Sequence, residues 1–156
     1  MRMLFLLLAL GGAAYCFFYQ DELFGPPVFR ETRIQAQWFE RTLSLVTVEE
    51  VNGMHRCETE PPLQHFADLC EKGMQCTTLS VDCKQSVSPR YVAMLDQNTQ
   101  NNRYLHVQSV ATELRAIYTL WGVDSNESAS LCQNWMQLIY KDVKLRDQSR
   151  FYWRCI

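Results

Sequence analysis

The chain begins with one long apolar stretch, Met3–Tyr19, which limits what the remaining residues can fold into. The stretch contains no charged residue, whereas Arg2 precedes it and Asp21 follows it closely. As a helix at 1.5 Å per residue it would be about 26 Å long, close to the hydrocarbon thickness of a bilayer. Residues 1–19 are therefore predicted to be a transmembrane anchor or a signal peptide, and only later residues are expected to form a globular domain.

Two interpretations of this stretch differ in whether it is retained. A cleaved signal peptide would use Leu4–Leu10 as its apolar region and Gly12–Ala14 as its cleavage site. A retained anchor explains better why the apolar run continues to Tyr19, since aromatic side chains are favoured at the membrane interface. We prefer the anchor. In both cases Arg2 stays in the cytoplasm and the residues after Tyr19 are exported.

The exported part is long enough for one domain. Residues 20–28 contain Gly25-Pro26-Pro27 and are predicted to be a short, stiff spacer, because proline restricts the backbone. Residues 29–156 would form the domain. Fourteen basic and seventeen acidic residues follow the anchor without any basic run, which argues against a nucleic-acid partner.

Six cysteines follow the anchor, and an even number in an exported domain predicts up to three disulfide bonds without fixing their pairing. Each bond would contribute about 2–4 kcal/mol, so the domain is expected to depend on oxidation. This chemistry fits a periplasmic or extracellular location. The candidates are Cys57, Cys70, Cys76, Cys83, Cys132 and Cys155.

The first half of the domain is predicted to be mainly extended. The β-branched run that ends at Val51 and the following Asn52-Gly53 indicate a hairpin with a type I′ turn, in which Met54–Thr59 returns as the second strand. Phe29–Glu40 fits either a short helix or an extended lead-in. Farther along, Leu63–Leu69 is expected to be a short helix and Thr77–Cys83 a strand.

A second hairpin is predicted from Arg90–Asp96 and Arg103–Gln108, because a polar, loop-like segment separates them. After Gln108 the spacing of the apolar residues changes from a period of two residues to one of 3.6. Between Ser109 as N-cap and Gly122 as C-cap, an amphipathic helix is predicted by one apolar stripe. The stripe consists of Val110, Leu114, Ile117 and Trp121.

The C-terminal part is predicted to return to β-structure. Asp124 and Glu127 resemble a capping box that starts a short helix. Trp135–Leu145 is predicted to be a bulged strand, Asp147–Ser149 a turn, and Phe151–Ile156 the closing strand. The predicted fold is α+β and β-rich: a curved antiparallel sheet or partial barrel with one main amphipathic helix.

The residues that usually carry catalysis or bind metal do not form a recognisable motif. His65 with three neighbouring cysteines lacks the paired Cys-x2-Cys spacing of zinc sites. Glu49 and Glu50 would point to opposite faces of a strand, and no glycine-rich phosphate loop occurs. We therefore predict no enzyme activity, no metal and no cofactor.

Aromatic residues offer a possible binding surface. The simpler interpretation is that they pack in the core; the alternative is that some line an apolar pocket inside the curved sheet. The candidate pocket residues are Tyr91, Tyr104, Tyr118, Trp121, Tyr140, Phe151 and Trp153.

Two segments resemble a known family. The spacing of Leu114, Ile117 and Leu120, followed by Val123–Ser128, resembles the helix and following turn of ToxS-type proteins. Met136–Leu145 with Phe151–Arg154 is similar to the closing β-hairpin of that family. The single anchor and the early hairpin are also shared, and VtrC-like proteins have the same layout.

The resemblance implies an inner-membrane, single-pass accessory subunit whose C-terminal domain lies in the periplasm. Its partner would be a ToxR-like transmembrane transcription regulator, which it binds as a heterodimer and stabilises. In the VtrC case the two chains jointly form a lipocalin-like barrel that binds bile salts. A bile salt or another amphipathic molecule is therefore a second implied partner.

Two other functions fit the residues. A disulfide-rich periplasmic inhibitor or immunity protein would bind an enzyme. An exported hydrolase would need a free thiol, which paired cysteines do not supply.

Overall fold

Six strands form one open antiparallel sheet in the computed structural model, which describes residues 26–38, 40–60, 75–98, 103–110, 114–141 and 151–156. Three helices pack on this sheet. The strands are β1 (Val28–Trp38), β2 (Arg41–Val51), β3 (Gln75–Lys84), β4 (Tyr104–Ser109), β5 (Arg115–Trp121) and β6 (Phe151–Cys155); the helices are α1 (Met54–Thr59), α2 (Pro89–Leu95) and α3 (Ser125–Lys141). The spatial order is β3-β1-β2-β5-β4-β6, so β3 and β6 are the edges. The prediction of a β-rich α+β fold is confirmed, but the sheet does not close.

The longest pairing joins β1 and β2, which lie antiparallel along their whole length, from Val28 opposite Val51 to Trp38 opposite Arg41. For Phe29–Glu40 the extended interpretation is thus correct as far as Trp38. The other neighbour of β2 is β5.

The predicted return strand Met54–Thr59 is wrong, because these residues form α1. A type I′ turn needs a positive φ at two residues, and at Asn52-Gly53 only Gly53 has one, at 82°. The chain therefore enters a helix at this point. Residues 54–58 also lack the β-branched side chains that favour a strand.

The predicted strand Arg90–Asp96 is also wrong, because α2 occupies this segment. Pro89 stands in the first helical turn, where its fixed φ suits the helix and its missing N–H is not needed. The side chains of Met94 and Leu95 are buried and that of Tyr91 is half-buried, which is the spacing of one helical face.

The predicted amphipathic helix between Ser109 and Gly122 is a strand where it is described: β5 pairs with β2 on one side and β4 on the other. The residues from Ala116 to Leu120 are all buried, because helices cover both faces of the sheet. A strand buried on both faces loses its alternating pattern, and the apolar stripe here had a helical period by coincidence.

The longest helix is α3, and its start agrees with the predicted capping box. The Asp124 carboxylate accepts hydrogen bonds from the backbone N–H groups of Asn126 and Glu127, both at 2.8 Å. The Glu127 carboxylate accepts one from the N–H of Asp124 at 3.1 Å. The helix then continues to Lys141, so the predicted strand from Trp135 is wrong through that residue.

Three strand predictions are confirmed. Thr77–Cys83 lies in β3, Arg103–Gln108 largely in β4, and Phe151–Ile156 largely in β6. In β6 the half-buried residues Phe151, Trp153 and Cys155 alternate with exposed ones. The predicted helix Leu63–Leu69 and the predicted turn Asp147–Ser149 lie outside the described residues, as do residues 142–145.

Each face of the sheet has its own core. The α3 face, which also carries α1, packs strand residues against Leu131, Cys132 and Trp135 of α3. The opposite α2 face packs Val46, Val48, Tyr104 and Ile117 against Met94 and Leu95. The central strands β2, β5 and β4 contribute to both cores.

Two disulfide bonds fasten helices of the α3 face to the two edge strands. Cys57 of α1 is bonded to Cys83 of β3, and Cys132 of α3 is bonded to Cys155 of β6. Cys76 is disulfide-bonded as well, whereas Cys70 lies outside the described residues. The prediction of disulfide bonds is thus confirmed.

The predicted anchor Met3–Tyr19 lies outside the described residues. Among those that are described, no helix is both long and apolar enough to cross a bilayer.

Removing either described disulfide is expected to lower the free energy of unfolding. The closed loops join cysteines 26 and 23 positions apart, and bonds across loops of this kind contribute about 2–4 kcal/mol. Urea unfolding of the full chain, followed by tryptophan fluorescence, measures this for Cys57→Ser with Cys83→Ser and for Cys132→Ser with Cys155→Ser. An unchanged unfolding midpoint in both double variants would contradict the expected role of the bonds.

Candidate functional site

Two adjacent carboxylates on β2, Glu49 and Glu50, lie on opposite faces of the sheet, and both are buried. A buried carboxylate is costly unless a cation and hydrogen bonds accompany it. Each of the two therefore needs its own cation, and the sheet supplies one on each side.

On the α3 face the cation is Arg30 of β1. Its Nη1 lies 3.2 Å from Oε2 of Glu49, and both side chains are almost completely buried. Its Nη2 donates to the carbonyl of Arg56 at 2.9 Å and its Nε to the carbonyl of Cys57 at 3.1 Å. These carbonyls belong to the last turn of α1, where a cation also meets the negative end of the helix dipole. Arg30 thus joins two strands to a helix.

On the α2 face the cation is Arg115 of β5. Its Nη2 lies 2.6 Å from Oε1 of Glu50 and its Nε 3.0 Å from Oε2. Its Nη1 donates to the carbonyl of Leu95 at 3.3 Å and to the carboxylate of Asp96. The hydrogen bond to Glu50 is the main cause that raises the pKa of Arg115. The end of α2 is fixed to the sheet in this way.

A buried histidine completes the contact with α2. His106 is 2 % exposed, and its Nε2 lies 3.0 Å from the carbonyl of Leu95, to which the neutral ring donates. Burial lowers the pKa of His106, and the nearby Arg115 and Arg154 act in the same direction, although the Leu95 carbonyl and Glu50 oppose it. Since the ordinary value is about 6.5, the ring is neutral at pH 7.

A third charged cluster lies beside β3. The carboxylate of Glu31 accepts from Arg33 at 2.8 Å and from Lys84 at 2.9 Å. Burial by itself would raise the pKa of Glu31, but the hydrogen bonds from Lys84 and Arg33 outweigh it, and the pKa is lowered. Lys84 also lies 3.8 Å from Asp82, so positive and negative groups balance at this edge.

The candidate pocket residues divide into two groups. On the α3 face, the ring of Trp153 lies 6.4 Å from that of Tyr118 and 6.5 Å from that of Phe151. The structure brings these three together, with Tyr118 buried and the other two half-buried.

The second group lies on the α2 face. Tyr91 and Trp121 are half-buried there, and the guanidinium of Arg90 lies 4.0 Å above the ring of Trp121. Tyr104 is buried, and its hydroxyl donates to the carbonyl of Asn98 at 2.8 Å. The side chain of Tyr140 lies outside the described residues. The six described residues therefore do not line one common surface.

The charged groups of these clusters pair with one another or with backbone carbonyls. Where residues are described, no group of three or more His, Cys, Asp or Glu side chains is arranged to hold a metal ion. Glu49 and Glu50 are each engaged by an arginine, and His106 by a carbonyl. Sequence reasoning missed Arg30 and Arg115, although two successive glutamates in a strand rich in β-branched residues imply one cation on each face.

The edges of the sheet are the remaining candidate surface. Leu79 of β3 is 60 % exposed, Val81 of β3 46 %, and Tyr152 of β6 70 %. Among the described residues, each of these two strands has a neighbouring strand on one side only. Exposed apolar and aromatic side chains at such edges are typical of sites where a further strand adds. We therefore take the two edges as the candidate functional site.

Comparison of the chain with known protein families, curated proteins and solved structures gives no match. The likeness to ToxS-type proteins stays a prediction, and its structural content changes at two places. Residues 115–121 are a strand where the likeness implied a helix, and residues 136–141 are helical where it implied a strand of the closing hairpin.

Replacing Arg30 is expected to destabilise the domain strongly, because Glu49 would stay buried without its cation. Breaking a buried pair in this way costs about 3–5 kcal/mol. Urea unfolding of Arg30→Met measures the loss. The double variant Arg30→Met with Glu49→Leu is the matched control and should recover most of it, so equal losses in both would show that the ion pair is not the cause.

Acidification is expected to weaken the fold through His106. Because its pKa in the folded protein is lowered, the unfolded chain binds the proton first, and stability falls as the pH drops below about 6.5. Unfolding free energies at about pH 7.5 and about pH 5.5 measure this change. His106→Gln should flatten the dependence, whereas His55→Gln, at an exposed position of α1, should keep it. The same slope in both variants would exclude His106 as the source.

Proposed function

We propose that this chain is a membrane-anchored periplasmic accessory subunit that binds and stabilises a ToxR-like transmembrane regulator. The observation that carries the proposal is the outer side of β6, which pairs with no strand among the described residues and where Tyr152 is exposed. A partner strand that pairs with this edge would gain main-chain hydrogen bonds, and exposed tyrosines are frequent anchors in interfaces.

Three further features agree with such a role. The cystine content suits an exported domain, and Cys132–Cys155 fastens β6 to α3, which gives a partner a preformed edge. A retained anchor at Met3–Tyr19 would hold the domain near a similarly anchored partner and raise their effective concentration.

The ligand that we propose for the assembled pair is a bile salt or a similar anionic amphipathic molecule. The half-buried Tyr91 and Trp121 offer an apolar surface, and Arg90 beside them offers a positive charge. A steroid carboxylate has the complementary features. In this proposal the regulator covers the surface and completes a pocket in the assembled pair.

Co-expression with the membrane protein encoded by the adjacent gene tests the proposal. The two full chains are expected to co-purify in detergent and to slow each other's degradation. Tyr152→Lys should weaken the association by about tenfold or more, since aromatic hot spots carry a large share of interface energy. Leu79→Lys, at an exposed position of β3 at the opposite end of the sheet, is the matched control.

The outcomes separate the parts of the proposal. Wild-type chains that neither co-purify nor stabilise each other would refute it, and tight binding to an enzyme encoded nearby would indicate an inhibitor or immunity protein instead. Co-purification that survives Tyr152→Lys would move the interface away from β6.

Titration of the purified pair with deoxycholate tests the ligand. Trp121→Ala should weaken deoxycholate binding, whereas Trp153→Ala should leave it unchanged.

A further inference from the structure

Among the described helices, α2 is the one that no disulfide bond fastens to the sheet. Cys57 bonds α1 to β3 and Cys132 bonds α3 to β6, whereas α2 contains no cysteine. It is seven residues long, and an isolated helix of this length is not stable in water. Apart from its two chain connections, α2 therefore depends on non-covalent contacts with the sheet.

The apolar contacts of α2 are few. Met94 and Leu95 are its buried side chains, and they pack against a core to which Val46, Val48 and Ile117 belong. Elements that bury little apolar surface open at a lower free energy than the whole domain. The pairing of β2, β5 and β4 and the core on the α3 face do not involve α2, so they can stay formed when α2 separates.

The polar contacts at the C-terminal end of α2 form what we name the α2 latch. The Leu95 carbonyl accepts from Nε2 of His106 at 3.0 Å and from Nη1 of Arg115 at 3.3 Å, and Arg115 also binds the carboxylate of Asp96. Gln97 follows directly with a φ of 60°, which costs free energy in a residue other than glycine. Histidine is the side chain that ordinarily changes charge between about pH 5 and 8, so His106 makes the latch sensitive to pH.

The charged groups around His106 balance while its ring is neutral. The positive groups are Arg115 of β5 and Arg154 of β6, and the negative groups are Glu50 of β2 and Asp96 at the end of α2. A protonated ring adds a third positive charge to this set. The site is buried, so water does little to screen that charge. The docked helix therefore disfavours the proton.

Separation of α2 removes this penalty. Burial is the main cause that lowers the pKa of His106, and burial ends when the Leu95 carbonyl leaves the ring and water reaches it. The pKa then returns towards the ordinary value of about 6.5. Because the pKa is lower with the helix docked, the undocked state binds the proton first, and a pH below about 6.5 shifts the equilibrium towards it. One proton is taken up, so the shift is at most about tenfold per pH unit.

We propose that α2 is a pH-dependent flap, which protonation of His106 releases from the sheet while the rest of the domain stays folded. The inference goes beyond the proposed function, because it concerns this chain by itself and needs neither a regulator nor a ligand. Release separates Tyr91 of α2 from Trp121 of β5. The surface proposed for the ligand therefore exists only while the helix is docked.

Hydrogen exchange of the full chain in detergent between about pH 7.5 and about pH 5.5 tests the proposal, after correction for the intrinsic exchange rate at each pH. The amides of residues 96–98 donate to carbonyls of α2 and are expected to lose protection several-fold on acidification. Those of residues 46–48 in β2 should keep theirs. His106→Gln retains an N–H donor for the Leu95 carbonyl but does not titrate, so its α2 protection should not depend on pH. His55→Gln, at an exposed position of α1, is the matched control and should behave as the wild type does.

Arg154→Gln is a second variant, at an exposed position of β6 where no loss of folding is expected. It removes a positive charge beside His106, so the docked state should tolerate the proton better and the pH dependence should weaken. Arg56→Gln, exposed on α1, removes the same charge elsewhere and should leave the dependence unchanged. Exchange of α2 that does not depend on pH in the wild type, equal increases in α2 and β2, or a wild-type dependence in both His106→Gln and Arg154→Gln would each overturn the inference.

Discussion

The fold depends on how β2 resolves the burial of two successive carboxylates. Glu49 and Glu50 cannot share a cation, because neighbouring residues of a strand face opposite ways. Each draws an arginine from an adjacent strand, and each arginine uses its remaining N–H groups on backbone carbonyls at the end of a helix. One acidic pair thus holds α1 on one face of the sheet and α2 on the other.

Because helices cover both faces of the central strands, some parts of the fold can be predicted from the sequence and others cannot. The edge strand β6 is covered mainly on one side, so its alternation is clear and its prediction correct. In β5, helices cover both sides, all central residues are apolar or small, and nothing in the sequence separates a buried strand from a helical stripe. The error at Ser109–Gly122 is a consequence of the architecture.

Local turn signals were reliable only where the side chains themselves make the turn. Asp124 and Glu127 cap α3 through their own carboxylates, and the start of this helix was predictable. Asn52-Gly53 allowed a hairpin but did not require one, since Gly53 with a positive φ also serves as the residue before α1. Of the candidate pocket, spacing along the chain correctly joined Phe151 and Trp153, but it could not reveal that Trp121 lies on the other face from both.

The two described disulfides have a consequence for what a protease can do to the chain. Residues 61–74 lie between Cys57 and Cys83, and residues 142–150 lie between Cys132 and Cys155. A single cut in either segment leaves both fragments covalently joined, and the edge strand beyond the cut stays fastened to its helix. Oxidation therefore keeps the chain covalently in one piece after a cut in either segment.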